Sequence, residues 1–218
     1  MSEPSRRPLS RMRRAIAKSM TASALVPQFT IECDARLGLL AAWRDEVAAS
    51  GARISYSDAI VAAAARALRS HPVLNSSFAD DAILEHGEVN VGFALDLPEG
   101  LIAPAIRRAD TLSLPELAAE RARLAAAARD GTLTPDDVFS ATFTVSNLGP
   151  LGVRRFRALV VPPQAAILAL GAVTDEWLMS LSLSCDHRVV DGAPAARFLT
   201  ELVGLLEDPV WLDELAPL

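Results

Sequence analysis

Two stretches of strict alternation constrain this chain more than anything else in it. From Ser180 to Cys185 serines alternate with Leu181, Leu183 and Cys185, and from Gln28 to Ala35 the apolar Phe29, Ile31 and Cys33 alternate with Gln28, Thr30, Glu32 and Asp34. A period of two sends successive side chains to opposite faces, so each stretch predicts a strand with one face in a core and one polar face. Ala165 to Val173 is apolar almost throughout and predicts a buried strand. A chain with such strands has to build a sheet and cover one side of it.

The cover is predicted to be helical. From Ser10 to about Ala22, Met12, Ile16 and Met20 recur every four residues between basic positions, which predicts an amphipathic basic helix. Further helices are expected over Leu37 to Ala49, closed by Ser50-Gly51, and from near Ser57 through the Ala62–Ala65 run to Leu68, stopped by His71-Pro72. Ser113 and Glu116 have capping-box spacing ahead of a helix ending near Asp130-Gly131, Thr134-Pro135 opens a short one, and Gly192 to Leu206 is the last. Val89 to Leu97 and Leu101 to Ile106 flank Pro98-Glu99-Gly100 as an antiparallel hairpin, and Thr142 to Val145 returns to strand. Helices and hairpins mixed without regular alternation imply an α+β layered domain. We divide the chain into an arm over residues 1–8 and a single domain over 9–218.

An apolar fraction of 51% against 22% charged is enough for a substantial core and excludes disorder. A net charge of −6 argues against nucleic acid or an anionic membrane as partner, although Arg6, Arg7, Arg11, Arg13, Arg14 and Lys18 cluster at one end. Cys33 and Cys185 fit no metal spacing, and no apolar run approaches the roughly 20 residues of a membrane span. A reduced, cytoplasmic protein without a disulfide is expected.

Chemistry concentrates between Ser184 and Gly192, where His187 stands between Asp186 and Asp191 at a predicted strand end. Imidazole titrates near neutrality and can take a proton from a thiol or hydroxyl once its tautomer is fixed, here by Asp191 or a backbone carbonyl. On spacing alone a surface or helix-capping histidine is an equal reading. His71, before a proline, and His86, in a polar turn, are expected to be structural or exposed.

The chain resembles the catalytic domain of the dihydrolipoyl acyltransferases of 2-oxo acid dehydrogenase complexes, whose fold is shared with chloramphenicol acetyltransferase. Asp186-His187-Arg188-Val189-Val190-Asp191-Gly192-Ala193 is similar to the family's D-H-R-x-x-D-G-A signature, and Phe143-Thr144-Val145-Ser146-Asn147-Leu148-Gly149 to its F-T-x-S-N-L-G strand. Pro162 to Leu168, Leu101 to Pro104 and Pro8 to Ala17 match further landmarks in the same order. The resemblance implies a layered mixed β-sheet with flanking helices and acyl transfer from coenzyme A, typically acetyl-CoA, with no metal and no covalently bound lipoyl group. It makes His187 the general base and Ser146 the donor to the tetrahedral oxyanion. Asp191 would order the histidine loop by pairing with an arginine rather than relaying a proton. It further implies a homotrimer whose active sites lie in channels between subunits; the basic helix then either packs on the trimer neighbour, the favoured reading, or attracts the phosphates of coenzyme A.

Ser146 lacks the G-x-S-x-G elbow of an acyl-serine enzyme, and by residue type alone it would satisfy local backbone groups. Four departures from the family concern the acceptor. Gln28 stands where a His is usual, Ala62 where a Lys is usual and Cys185 where a Tyr is common, and Gly171 to Ser180 is too short for the usual extra hairpin. With no lipoyl-bearing segment ahead of the match, they imply a free-standing enzyme that O-acetylates a hydroxyl of a small tetronate-type natural-product intermediate. The alternatives are the dihydrolipoamide S-acyltransferase core of a 2-oxo acid dehydrogenase complex, cut from a longer chain, and a non-catalytic trimeric assembly module.

Overall fold

The computed structural model describes residues 5–49, 51 and 53–215, so Ser50, Ala52, half of the expected arm and the last three residues lie outside it. Its centre is a six-stranded mixed sheet. The strands are β1 (Gln28–Arg36), β4 (Val91–Phe93), β7 (Ala105–Ile106), β8 (Phe143–Asn147), β9 (Ala166–Val173) and β10 (Leu178–Asp186), in the order β1-β10-β9-β8-β4-β7. The two alternating stretches are neighbours: β1 runs antiparallel to β10 with Phe29 opposite Cys185 and Ile31 opposite Leu183. β9 pairs antiparallel with β10 and parallel with β8, and β8 is parallel to β4.

Alternation then sorts the faces. Leu181, Leu183 and Cys185 join Leu168, Leu170, Phe143 and Val145 in one hydrophobic core with Ile60, Leu68, Phe198 and Leu202. The helices that supply this cover are α2 (Gly38–Ala49), α3 (Tyr56–Ser70), α4 (Leu114–Asp130), α6 (Gly192–Glu207) and α7 (Pro209–Leu215). Short α5 (Pro135–Phe139) precedes β8. The Ala-rich face of α3, with Ala59, Ala63, Ala64 and Ala67 fully buried, lets α6 approach closely.

On the opposite face, Thr30, Glu32, Asp34, Ser180, Ser182, Ser184, Thr144 and Ser146 form a polar layer, crossed by the segment from 153 to 164. Arg155 donates to Ser180 Oγ (2.8 Å), Arg157 to Glu32 (2.8 Å), and the Val160 amide to Gln28 Oε1 (2.8 Å). This strap buries Ser182 and Ser184 without helical cover.

Helix α1 (Arg11–Ser23) is N-capped by Ser10, where the amphipathic stretch was expected to begin; Ile16 and Met12 pack at Gly100 while Arg11, Arg13, Arg14 and Lys18 stay exposed. The capping box expected at Ser113 forms, and the short helix expected after Thr134-Pro135 opens with another, through Asp137. A third at Ser55 starts α3 before the expected Ser57, because Asp58 accepts both the Ser55 amide and its hydroxyl. The hairpin expected over Val89 to Ile106 divides. Its tip is a separate two-stranded sheet, β5 (Leu95–Leu97) with β6 (Gly100–Ile102), and its base, β4 with β7, joins the main sheet. A further hairpin has no counterpart among the expected elements: β2 (Ser76–Ala79) with β3 (Ala82–Glu85), turning through Asp80 and Asp81 at positive φ. Both cysteines are free thiols, and no described helix is long and apolar enough to cross a membrane.

Candidate active site

His187 follows the last residue of β10, and its position is fixed by the backbone. Asp186 closes the register opposite Gln28, the His187 amide donates to the Pro27 carbonyl (2.8 Å), and the Val189 and Val190 amides turn back onto the Asp186 carbonyl. The imidazole is thereby pushed out of the sheet, half exposed, with its ring 4.7 Å from that of Phe29. Its Nδ1 lies 3.6 Å from Asp191 Oδ1, too long for a hydrogen bond but close enough to bias the tautomer electrostatically.

The arginine pairing expected of Asp191 falls on Asp186 instead. The Asp186 carboxylate, 3% exposed, receives Arg188 through Nε (3.0 Å) and an Nη nitrogen (2.6 Å), and accepts the Arg188 amide as well (3.0 Å). Asp191, 83% exposed, sits at the N-cap of α6 without a side-chain capping bond. The physical reason is parity. Asp186 is in phase with Ser180, Ser182 and Ser184 and so points into the polar layer, whereas Asp191 lies beyond the turn.

Ser146 lies on β8, on the polar face, opposite Ala169, which in turn faces Ser182. Its neighbours on that face are all engaged: Thr144 donates to Gln164 (2.7 Å), Thr30 and Ser184 share a hydrogen bond (2.9 Å), Ser180 accepts from Arg155, and Ser182 serves Glu32. Among the described residues the Ser146 hydroxyl has no partner, although the residue is only 8% exposed. The expectation that a serine here merely satisfies local backbone is therefore not met. The turn after it is held by Asn147, which donates to Ser57 Oγ (3.0 Å) and accepts the Gly149 amide (2.8 Å). A Cβ on Gly149 would stand 2.5 Å from the Gly171 carbonyl, which explains the glycine.

One protomer does not unite the pair. His187 is five residues along β10 from the row of Ser146 and two strands across, which at about 3.3 Å per residue and 4.8 Å per strand puts them roughly 20 Å apart.

The other histidines take structural places. His71 Nε2 meets Glu201 (2.9 Å) at the end of α3, and His86 Nε2 meets Ser77 Oγ (2.7 Å), with burial lowering its pKa. So do the departures. Gln28 uses its amide twice, donating to Ser23 and accepting from Val160. Cys185 is in the helical core, where burial pushes its thiol up to about 12, and Ala62 packs partly buried against the same core. Thr174 to Trp177 joins β9 to β10 at the end of β10 remote from His187. Among the described residues no cluster of His, Cys, Asp and Glu could hold a metal.

The family model for the 2-oxoacid dehydrogenases acyltransferase catalytic domain matches residues 1–212. The chain belongs to this family. The domain is 36% identical over 221 residues to the dihydrolipoyllysine-residue acetyltransferase component of the mitochondrial pyruvate dehydrogenase complex of Dictyostelium discoideum, covering 94% of this chain and 35% of that protein. Its structure superposes on dihydrolipoamide acetyltransferase of Azotobacter vinelandii with a TM-score of 0.88 and 35% identity, covering 96% of this chain and 94% of the other. Chloramphenicol acetyltransferase, at 12% identity and a TM-score of 0.57 over 87% of this chain and 94% of the other, shares the fold. The domain spans only about a third to a half of the length of curated relatives such as those of Dictyostelium and Zymomonas mobilis.

Proposed function

We propose that the domain transfers an acetyl group between coenzyme A and the thiol of a dihydrolipoyl group. His187 is the general base: a half-exposed imidazole at a strand end takes the thiol proton as sulfur attacks the thioester carbonyl. Ser146 donates to the oxygen of the tetrahedral intermediate, and that charge is the one partner its hydroxyl lacks. The intermediate collapses by breaking the original carbon–sulfur bond, and the departing thiolate takes the proton from the imidazolium, so no covalent intermediate on the protein is needed. Asp191 biases the tautomer, while the Asp186–Arg188 pair holds the loop.

The unpartnered Ser146 hydroxyl, on a face where every neighbouring hydroxyl is paired, carries the reading. The separation within one protomer is accounted for if the site forms between subunits of a trimer, His187 from one and Ser146 from the next. In the Azotobacter enzyme a serine, a histidine and an asparagine four positions after the histidine have been investigated for their role in the catalytic mechanism, and the last two have the spacing of His187 and Asp191.

The dithiol replaces the hydroxylated natural product suggested by the departures, because Gln28, Ala62 and Cys185 are taken up by local hydrogen bonds or core packing and the relatives above are named as dihydrolipoyllysine-residue acetyltransferases. Incubation with acetyl-CoA and either dihydrolipoamide or a hydroxymethyl tetronate tests it. Transfer to the dithiol is expected, with His187→Ala losing about 10²–10⁴-fold in turnover. Transfer to the hydroxyl alone, or full turnover by the variant, would overturn the reading; inactivity of the wild type on every acceptor would favour an assembly module.

A further inference from the structure

The geometry points to Phe78 as a positioning residue for His187 that acts through Arg188, an inference that rests on His187 being the base. Phe78 belongs to the β2–β3 hairpin, which lies outside the main sheet and whose second strand is exposed along its whole length. Yet the guanidinium of Arg188 lies over the Phe78 ring at 4.2 Å from its centroid. The same guanidinium grips Asp186 in a fork. The residues on either side of His187 are thus locked to one another, and the backbone between them is arched so that the imidazole leans on Phe29.

The fork fixes the distance between Asp186 and Arg188, but a planar cation can still roll about that axis. An aromatic face beneath it sets the plane, which an ammonium or an aliphatic floor cannot do. Phe78 is itself held at fixed height. The Ala165 amide donates to the Ser76 carbonyl (2.9 Å) and the Asp186 amide to the Ala165 carbonyl (2.8 Å), so ring and carboxylate share a short backbone relay. Ser77 with His86, and the Asn75 amide with the carbonyls of His86 and Glu88, pin the hairpin base.

The test compares Phe78→Leu, Phe78→Met, Phe78→Trp, Arg188→Lys and Phe78→Leu/Arg188→Lys in transfer between acetyl-CoA and dihydrolipoamide, with Tm measured for each and His187→Ala in parallel. Losing the aromatic face should lower kcat about tenfold, as small misplacements of a catalytic group do. KM for both substrates should stay within about twofold, because no substrate-binding contact is removed. Phe78→Trp should restore kcat, and the double variant should be no worse than Arg188→Lys alone. Should Phe78→Leu fail to fold, Phe78→Met keeps the volume without the ring face and answers the same question. Unchanged kcat in the folded Leu or Met variant, or losses that multiply in the double variant, would overturn the inference. Retained turnover in His187→Ala would instead overturn the assignment of the base, and so separates the two failures.

Discussion

Nothing in the described fold leans on the Ser146 hydroxyl, so its removal separates catalysis from stability. Ser146→Ala should change unfolding free energy by less than about 1 kcal/mol, since no intramolecular hydrogen bond is lost. Turnover should fall about 10²–10³-fold, the usual cost of one oxyanion donor. Urea denaturation and steady-state kinetics on the same preparation check both halves, and unchanged turnover would end the role of this serine. The two carboxylates beside His187 should respond unequally. Asp186→Asn strips the charge partner from Arg188 inside a nearly closed site, whereas Asp191→Asn neutralises a solvated group 3.6 Å from the ring. We expect kcat to suffer more in the first than in the second; the reverse order would mean that Asp191 holds the histidine after all. Both residues could be named from the sequence as flanking the histidine. Which of them pairs with arginine was also legible, though only by continuing the serine parity one step to position 186. The Phe78 contact had no such signal, because it joins residues 110 positions apart through a fold that local pattern does not encode.

Among the elements, the strap from 153 to 164 is tied to β1 by ion pairs of Arg155 and Arg157 with Glu32 and Asp34. The Arg157 guanidinium donates to Glu32 and holds its carboxyl below the ordinary glutamate value, with burial opposing and the charges of Arg157 and Arg155 assisting. A folded-state pKa below the unfolded one means that the unfolded chain binds more protons in the window between them. The stabilisation is therefore complete above the unfolded value of about 4.3 and is lost as pH falls through the lower folded one. Glu32→Gln should consequently melt below wild type at neutral pH, with the gap in Tm closing as pH falls below the ordinary glutamate value. A gap that persists unchanged into acid would show that the strap does not depend on this carboxylate's charge. Beneath the strap, β1 and β10 were legible because polar and apolar residues alternate along nearly their whole length, and β9 because its run is apolar almost throughout. The β2–β3 hairpin was not. Its turn places Asp80 and Asp81 at positive φ, where Gly or Asn would have announced it, and its outer strand has no buried face to impose alternation. Likewise the split of the 89–106 hairpin depends on β4 finding β8, a pairing between residues some 50 positions apart in sequence.

At the scale of the whole molecule the decisive fact is the separation of about 20 Å between the two groups proposed to act on one carbonyl. A rigid sheet cannot close that gap, because moving Ser146 toward His187 would break the register of β8, β9 and β10 together. Either the pair is not the catalytic pair, or the carbonyl is held between copies of the chain. The second alternative has a consequence that a site within one protomer cannot mimic. His187→Ala keeps an intact serine and Ser146→Ala an intact histidine, so each variant carries half of every site. Co-expressed in equal amounts and assembled at random into rings with head-to-tail contacts, they should regain about a quarter of wild-type turnover, because one interface in four then unites a wild-type His187 with a wild-type Ser146. Mixing the two separately assembled proteins should restore far less until subunits exchange, which ties the gain to assembly rather than to residual activity. Turnover in the co-expressed mixture no higher than the mean of the two variants would leave both groups on one chain, where the fold keeps them apart, and the shared-site reading would fall with it.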